Sequence, residues 1–324
     1  MAFLVPAGLL RDAGSARLRH HLLDEAAWEE VWELDSGGAL FPSAHRNLPI
    51  CAVFIRRGGP TRRIRLPGGV LGREALERLS PQDLAIPRLC RSGDLALLDR
   101  LLGCPPLESQ VHGIRKGDFN LGSDRHLFTT APAAHALRTG KEIAPYRIPG
   151  GPGRWVSVAP ASRHHEHPRV AWRDIADVTL RKRMVAAPLP AGDVLGDTLN
   201  FLVPPYGPEE AAYWLAVLNS HAFEWTVRLR SAHNHLGRRT VGPCPAPLFV
   251  AGDPECARIS AAAREAESDP GAASRADALV ARRYGLDAAA LEHLLGAFPK
   301  QPEELLDAIR AQFSADRGRA PTRV

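Results

Sequence analysis

WRDIADVTLRKRMVAAPLP (residues 172–190) and LAVLNSHAFEWTVRLRSAHNHLGRRTVGPCPAP (residues 215–247) are the two runs whose reading decides the chain. In the first, Arg173, Arg181, Lys182 and Arg183 surround a strand-like run ending in Met184, Val185 and Ala186. The second lies on a helix predicted over 208–230, with Trp214, Leu215, Val217, Leu218, Phe223, Trp225 and Val227 as its apolar set. That helix runs into a loop holding Arg228, Arg230, His233, Asn234, His235, Arg238 and Arg239. Cationic and amide donors this dense, beside a well-formed core, imply a surface that reads a polyanion.

The totals bound the rest. A chain of 324 residues, 45% apolar and 24% charged, has room for two modest soluble domains. The formal charge is +5, and with only Lys116, Lys141, Lys182 and Lys300 as lysines, arginine supplies 37 of the 41 basic residues. A GC-rich codon usage gives that bias by itself, so the clustering of arginine carries information and its abundance does not. Five cysteines without a Cys-x-x-Cys pair argue against a zinc ribbon or a disulfide framework. The start MAFLVPAGLLRDAG lacks a basic flank and a long apolar run, and no window approaches about 18 apolar residues, so a cytoplasmic protein without membrane spans is expected.

Outward from the deciding stretch, Ala2 to Pro6 reads as a buried strand, and Asp12 as the cap of a helix whose Leu18, Leu22 and Leu23 share a face. Glu29 to Leu34 and Ile50 to Ile55 read as two more strands, the closing part of an α/β sheet with one edge uncovered. Arg56 to Gly69 is turn-rich, Arg73 to Leu102 holds short helical pieces, and 103–165 is rich in Gly, Pro and Arg. Pro254 to Phe313 has leucine at helical spacing, with Gly285 as a helix stop.

Four of these segments, in order, resemble the carboxy-terminal half of adenine-specific DNA methyltransferases of the type IIG restriction–modification and phage-defence class, with a TaqI-like specificity domain. They are Phe3-Leu-Val-Pro-Ala-Gly-Leu-Leu10 with its helix; Phe41-Pro-Ser-Ala-His-Arg-Asn47 with Cys51 to Ile55; the deciding stretch with Leu218-Asn219-Ser220 and the prolines Pro243, Pro245 and Pro247; and Ala276 to Leu286 with Leu294-Leu-Gly-Ala-Phe-Pro299. The resemblance implies an α+β fold. A truncated closing half of a Rossmann-like methyltransferase sheet (1–58) leads through a connector with short helices (59–110) to a mixed α/β target-recognition domain (111–250). A small helical segment (251–315) and a disordered tail (316–324) follow. It further implies duplex DNA as ligand, contacted by Arg173, Arg181, Lys182, Arg183, Arg228, Arg230, Asn234, His235, Arg238 and Arg239. Phe41, Ser43 and Asn47 would support the pocket of a flipped base. The family's S-adenosyl-L-methionine turn and Asn-Pro-Pro-Tyr loop are not in the chain, so it is expected to bind no cofactor by itself and to act with a methyltransferase catalytic domain or upstream polypeptide. A stand-alone DNA-binding or interaction module, or the remnant of a degraded methyltransferase gene, is the alternative.

Other patterns read as structure. Val203-Pro-Pro-Tyr206 lacks the acceptor side chain that methyl transfer to an amino group needs before the prolines. Gly150-Gly-Pro-Gly153 precedes no helix, so a phosphate cradle is not expected. His164-His-Glu-His167 lacks a compact set of partner ligands for a metal. Asp35 with Asp12 or Glu33 lacks the spacing of a nuclease pair, and Trp172, Trp214 and Trp225 read as core.

Overall fold

The computed structural model describes residues 1–34, 49–231 and 233–316. Two compact units divide the chain: Met1–Leu102 with Thr226–His233, and Gly103–Trp225 with Asn234–Val324. Both mix helix and strand, in keeping with the α+β fold expected.

In the first unit, β1 (Ala2–Pro6), α1 (Gly8–Arg11), α2 (Ala16–Glu25), β2 (Ala26–Leu34) and β3 (Ile50–Arg57) follow in order. β3 lies between β1 and β2 and is antiparallel to both, so β1 and β2 run parallel and α2 is their crossover. The sheet does not stop there. β4 (Arg63–Leu66) adds parallel to β2 and β5 (Gly69–Gly72) pairs antiparallel with β4, giving the order β1-β3-β2-β4-β5. The expected connector is therefore the outer part of the sheet, followed by α3 (Arg73–Leu79) and α4 (Asp94–Leu101).

One face of this sheet is packed and the other open. Val31, Cys51, Val53, Ile64 and Leu71 are buried, as are Leu10 and Leu23 of the helices. On the opposite face Leu4, Trp32, Phe54 and Val70 remain exposed. β1 is an exposed edge strand, not the buried one expected from its apolar residues: it lies at the margin of the sheet with a neighbour on one side only. The α2 stripe is also revised. Leu18 is exposed, and Arg19 is fully buried in its place, donating to the carbonyls of Asp83, Leu9 and Asp12. Ser15, not Asp12, is the residue before α2, and it makes no side-chain cap.

The second unit holds two small sheets. β6 (Ile114–Lys116), β10 (Arg169–Arg173), β11 (Ala186–Leu189) and β13 (Leu199–Leu202) form an antiparallel sheet in the order β11-β10-β13-β6. β7 (Phe128–Thr129), β8 (His135–Arg138), β9 (Arg154–Val156) and β12 (Val194–Leu195) form the other, in the order β12-β8-β9-β7. Ala171, Val185, Ala187, Leu189, Leu199 and Phe201 make the core of the first; Phe119, Leu137, Val156 and Val194 make that of the second.

α5 (Pro208–Asn219) packs on β10 and β11 and against α8 (Pro254–Glu265) and α9 (Pro270–Arg283). Sandwiched so, it is buried from Ala212 to Asn219, which is why its apolar residues encircle it. The single helix expected over 208–230 is two. Ser220 takes an extended ψ of 151°, its Oγ accepts from the Phe223 amide, and α6 (His221–Arg230) starts afresh. α7 (Arg238–Val241) is one turn. α10 (Ala288–Leu295) and α11 (Glu303–Ala315) close the chain. Asp253, Asp269 and Asp287 each cap a helix through their side chains, and Gly285, at φ +74°, ends α9 as predicted.

Candidate nucleic-acid interface

Asp174, at the end of β10, organises the loop that the sequence points to. It is 3% exposed. Its Oδ1 accepts from Asn200 Nδ2 at 2.9 Å, while His235 Nδ1 at 2.9 Å and Lys116 Nζ at 3.4 Å approach Oδ2. Burial alone would raise this carboxyl. Donation from His235 and Asn200, with the charge of Lys116, outweighs burial and holds it below its ordinary value. The backbone completes the anchor: Leu236 N donates to Asp174 O at 2.6 Å, and Ala176 N donates to Asn234 O at 2.8 Å. Trp172 Nε1 donates to Leu236 O from within the core, so the loop is fixed from beneath by a fully buried ring.

The anchored loop carries exposed polar and cationic groups. His235, Arg238 and Arg239 are exposed, and Asn234 is half-buried. Lys116, exposed on the edge strand β6, adjoins them: α7 packs against β6, and Lys116 is in register with Asn200 and within 3.4 Å of Asp174. Arg238 has Glu108 at 3.6 Å, a solvent-exposed contact of little strength.

The remaining expected contacts go elsewhere. Arg181–Val185 is not a strand, since β11 begins only at Ala186. Arg183 is 2% exposed; its guanidinium donates to Ala176 O and its amide to Glu224 Oε1. Lys182 donates to Asn219 O and lies 3.5 Å from Glu224, which is fully buried. Arg230 is 6% exposed and donates to Leu79 O. These three are ties within the fold, because a buried guanidinium or ammonium must spend its donors on internal acceptors. Arg173 is half-buried on Ile143 O, burial lowering its pKa. Arg228 is half-buried, and Arg181 is exposed. Phe41, Ser43, Asn47 and Asp35 lie outside the described residues.

The other motifs have internal roles. Asn219 pairs its amide with the backbone of Ala186, donating and accepting at 3.0 Å, so it extends the ladder of β11 from a helix. Val203 packs on the core and the Tyr206 hydroxyl bonds Val170 N, making that segment a structural turn. His165 is buried on Ser162 O, and among the described residues no three His, Cys, Asp or Glu converge on a metal site. Trp172, Trp214 and Trp225 are core. No described helix is long and apolar enough to cross a membrane.

The fold is shared with a restriction–modification enzyme. The chain aligns over 99% of its length with 47% of the type IIL restriction–modification enzyme MmeI, solved in complex with DNA, at a TM-score of 0.52 and 11% identity. The type IIG restriction endonuclease BpuSI is matched over 96% of this chain and 47% of its own, at a TM-score of 0.39 and 13% identity. The chain thus spans about half the length of these structures. No family model matches it, and no curated protein does.

Within the MmeI-like fold, two residues at the interface are not apparent from the basic runs of the sequence. Lys116 stands on a short strand far from those runs, and the pairing of β6 with β13 brings it in. Asp174 is one of two acids in a basic stretch, with Asp177, and a carboxylate among cations and amides can accept their charge-assisted hydrogen bonds.

Proposed function

We propose that this chain is the DNA target-recognition portion of an adenine-N6-specific DNA methyltransferase of the restriction–modification or phage-defence class. The observation that carries the reading is the Asp174-anchored loop. It is a rigid mount presenting Asn234, His235, Arg238 and Arg239 on a fold shared with half of an enzyme solved on DNA. The parallel β1–α2–β2 crossover with β3 between its strands supports the closing half of a methyltransferase sheet. Arginine and lysine at such a surface give salt-dependent grip on phosphates, while amide, imidazole and guanidinium groups discriminate base edges.

S-adenosyl-L-methionine does not fit the residues present. The Gly-rich turn and Asn-Pro-Pro-Tyr loop are not in the sequence, and Tyr206, the one tyrosine after a Pro-Pro pair, has its hydroxyl engaged by Val170 N. In this reading the methyl transfer belongs to a catalytic part working with the chain. Selection of bound duplexes from a randomised pool by the full chain tests the reading. Enrichment of a motif is expected, and Asn234→Ala with Arg238→Ala should alter or erase it. A pool that emerges unenriched refutes target recognition.

A further inference from the structure

A cavity of about 840 Å³ in the first unit lies on the open face of its sheet and is lined by Arg56, Arg62, Arg63 and Arg65 with Phe54 on its floor. We propose that this arginine cleft is a second DNA contact, a clamp for the phosphodiester backbone of duplex DNA. The inference rests on the target-recognition function proposed for the chain and adds a site to it.

Three observations carry it. Elsewhere in the same unit several arginines have acidic partners: Arg11 with Glu33, Arg73 with Asp24 and Glu77, Arg78 with Asp99, and Arg91 with Asp94. In the cleft, among the described residues, only Arg56 is matched, to Glu29 at 2.8 Å with both side chains more than half exposed. Such a pair is weak and yields readily to a phosphate. Glu30 also lines the cleft, opposite Arg65 in the sheet register, and still leaves the cations in excess. Second, Arg63 and Arg65 alternate with Ile64 and Leu66, which are buried, so the strand holds both guanidiniums on the open face. Third, the wall is the turn Gly58-Gly59, at φ +89° and +79°, where an added Cβ would meet nothing within 4 Å. The turn is shaped by its backbone, with open space beside it, and leaves a backbone-sized ligand room. Like charges held together repel, and a polyanion relieves that repulsion.

The test is a titration of the full chain with duplex DNA between about 50 and 200 mM salt. It compares the parent with Arg62→Ala/Arg63→Ala/Arg65→Ala, the same three changed to Lys, and Arg238→Ala/Arg239→Ala. With three phosphates no longer neutralised, the slope of log affinity against log salt should flatten by about 2.7, so that the parent loses roughly 40-fold more affinity than the triple-alanine variant over that range. The motif recovered by selection should be unchanged, and the lysine variant should restore the slope. A triple-alanine slope within about 0.9 of the parent, or a lysine variant that restores nothing, overturns the clamp. If that happens while Arg238→Ala/Arg239→Ala still weakens binding, the clamp alone is lost. A parent that retains no duplex at low salt overturns both the clamp and the target-recognition reading.

Discussion

Removing the Asp174 carboxylate is the perturbation from which the interface has most to lose. In Asp174→Ala, Asn200 Nδ2, 2% exposed, keeps only Leu236 O at 3.3 Å, and a buried amide stripped of its better acceptor costs about 1–2 kcal/mol. His235 and Lys116 are each more than half exposed on their side chains, so their contacts add only about 0.2–1 kcal/mol apiece. The sum is about 2 kcal/mol, against about 1 kcal/mol for Asp174→Asn, which keeps an acceptor for Asn200 and loses the charge. The loop stays tethered, because Leu236 N still reaches the backbone carbonyl of residue 174 and Ala176 N that of Asn234. Grip on unselected duplex should therefore survive, while the motif recovered by selection should blur as His235 and its neighbours lose their fixed directions. The pH dependence follows from the same carboxyl. Its pKa is depressed on folding, so the folded state holds fewer protons than the unfolded one just below the ordinary value of 3.8. The stabilisation is whole above that pH and drains away as pH falls through the folded value. Urea unfolding from neutral pH down to about pH 3, with selection on each variant, measures all of this. An Asp174→Ala change under about 0.5 kcal/mol, or a motif as sharp as the parent's, refutes the anchoring argument.

Lys182→Ala should destabilise by about 3 kcal/mol, since it strips the ammonium beside fully buried Glu224, and DNA binding per folded molecule should not change; urea midpoints beside duplex titration decide it. Arg238→Ala/Arg239→Ala should alter stability by less than about 0.5 kcal/mol and flatten the salt slope by about 1.8, read from thermal midpoints and titrations. Gly117→Ala should cost about 3 kcal/mol or more in thermal denaturation, because the added methyl meets the backbone carbonyl of Gly196 well inside van der Waals distance. In Asp277, burial opposes ionisation, yet His221 at 2.5 Å and the nearby Lys182 hold the carboxyl below its ordinary value. Its contribution should be whole above the ordinary 3.8 and drain away as pH falls through the lower folded value, and Asp277→Asn should flatten that acid limb of stability.

How far the sequence discloses this fold depends on how local the deciding forces are. The C-terminal helices were legible from leucine at helical spacing and from Gly285, at a left-handed φ; the caps Asp253, Asp269 and Asp287, which were not read, act within a few residues as well. The break at Ser220 was legible in principle, serine being a preferred helix N-cap, but the apolar stripe ran across it. β4 was hidden for another reason. Arg63-Ile64-Arg65-Leu66 alternates as an exposed strand should, yet glycines and prolines on both sides give the segment the composition of a turn. The exposure of β1 could not be read locally, since it depends on what lies over the sheet and not on the strand's own residues.

The basic runs show where reading charge from sequence fails. Arg183 and Lys182 differ from Arg181 by a residue or two in the chain, and by the presence of Glu224, some forty positions away, in space. Arg11, Arg19, Arg169 and Arg230 repeat the pattern, each buried on a carboxylate or on backbone carbonyls. Arginine suits that work because its stem packs with the core while its fork satisfies several acceptors at once. In a chain where 37 of 41 basic residues are arginine, cationic density along the sequence therefore mixes two populations. One ties the fold together and contributes nothing to a ligand. The other, Arg238 and Arg239 on the Asp174-anchored loop and Arg62, Arg63 and Arg65 in the cleft, stays exposed. What separates the two is whether an internal acceptor has claimed the guanidinium, so the exposed and weakly paired arginines, and not the densest run, are where a polyanion has most to gain.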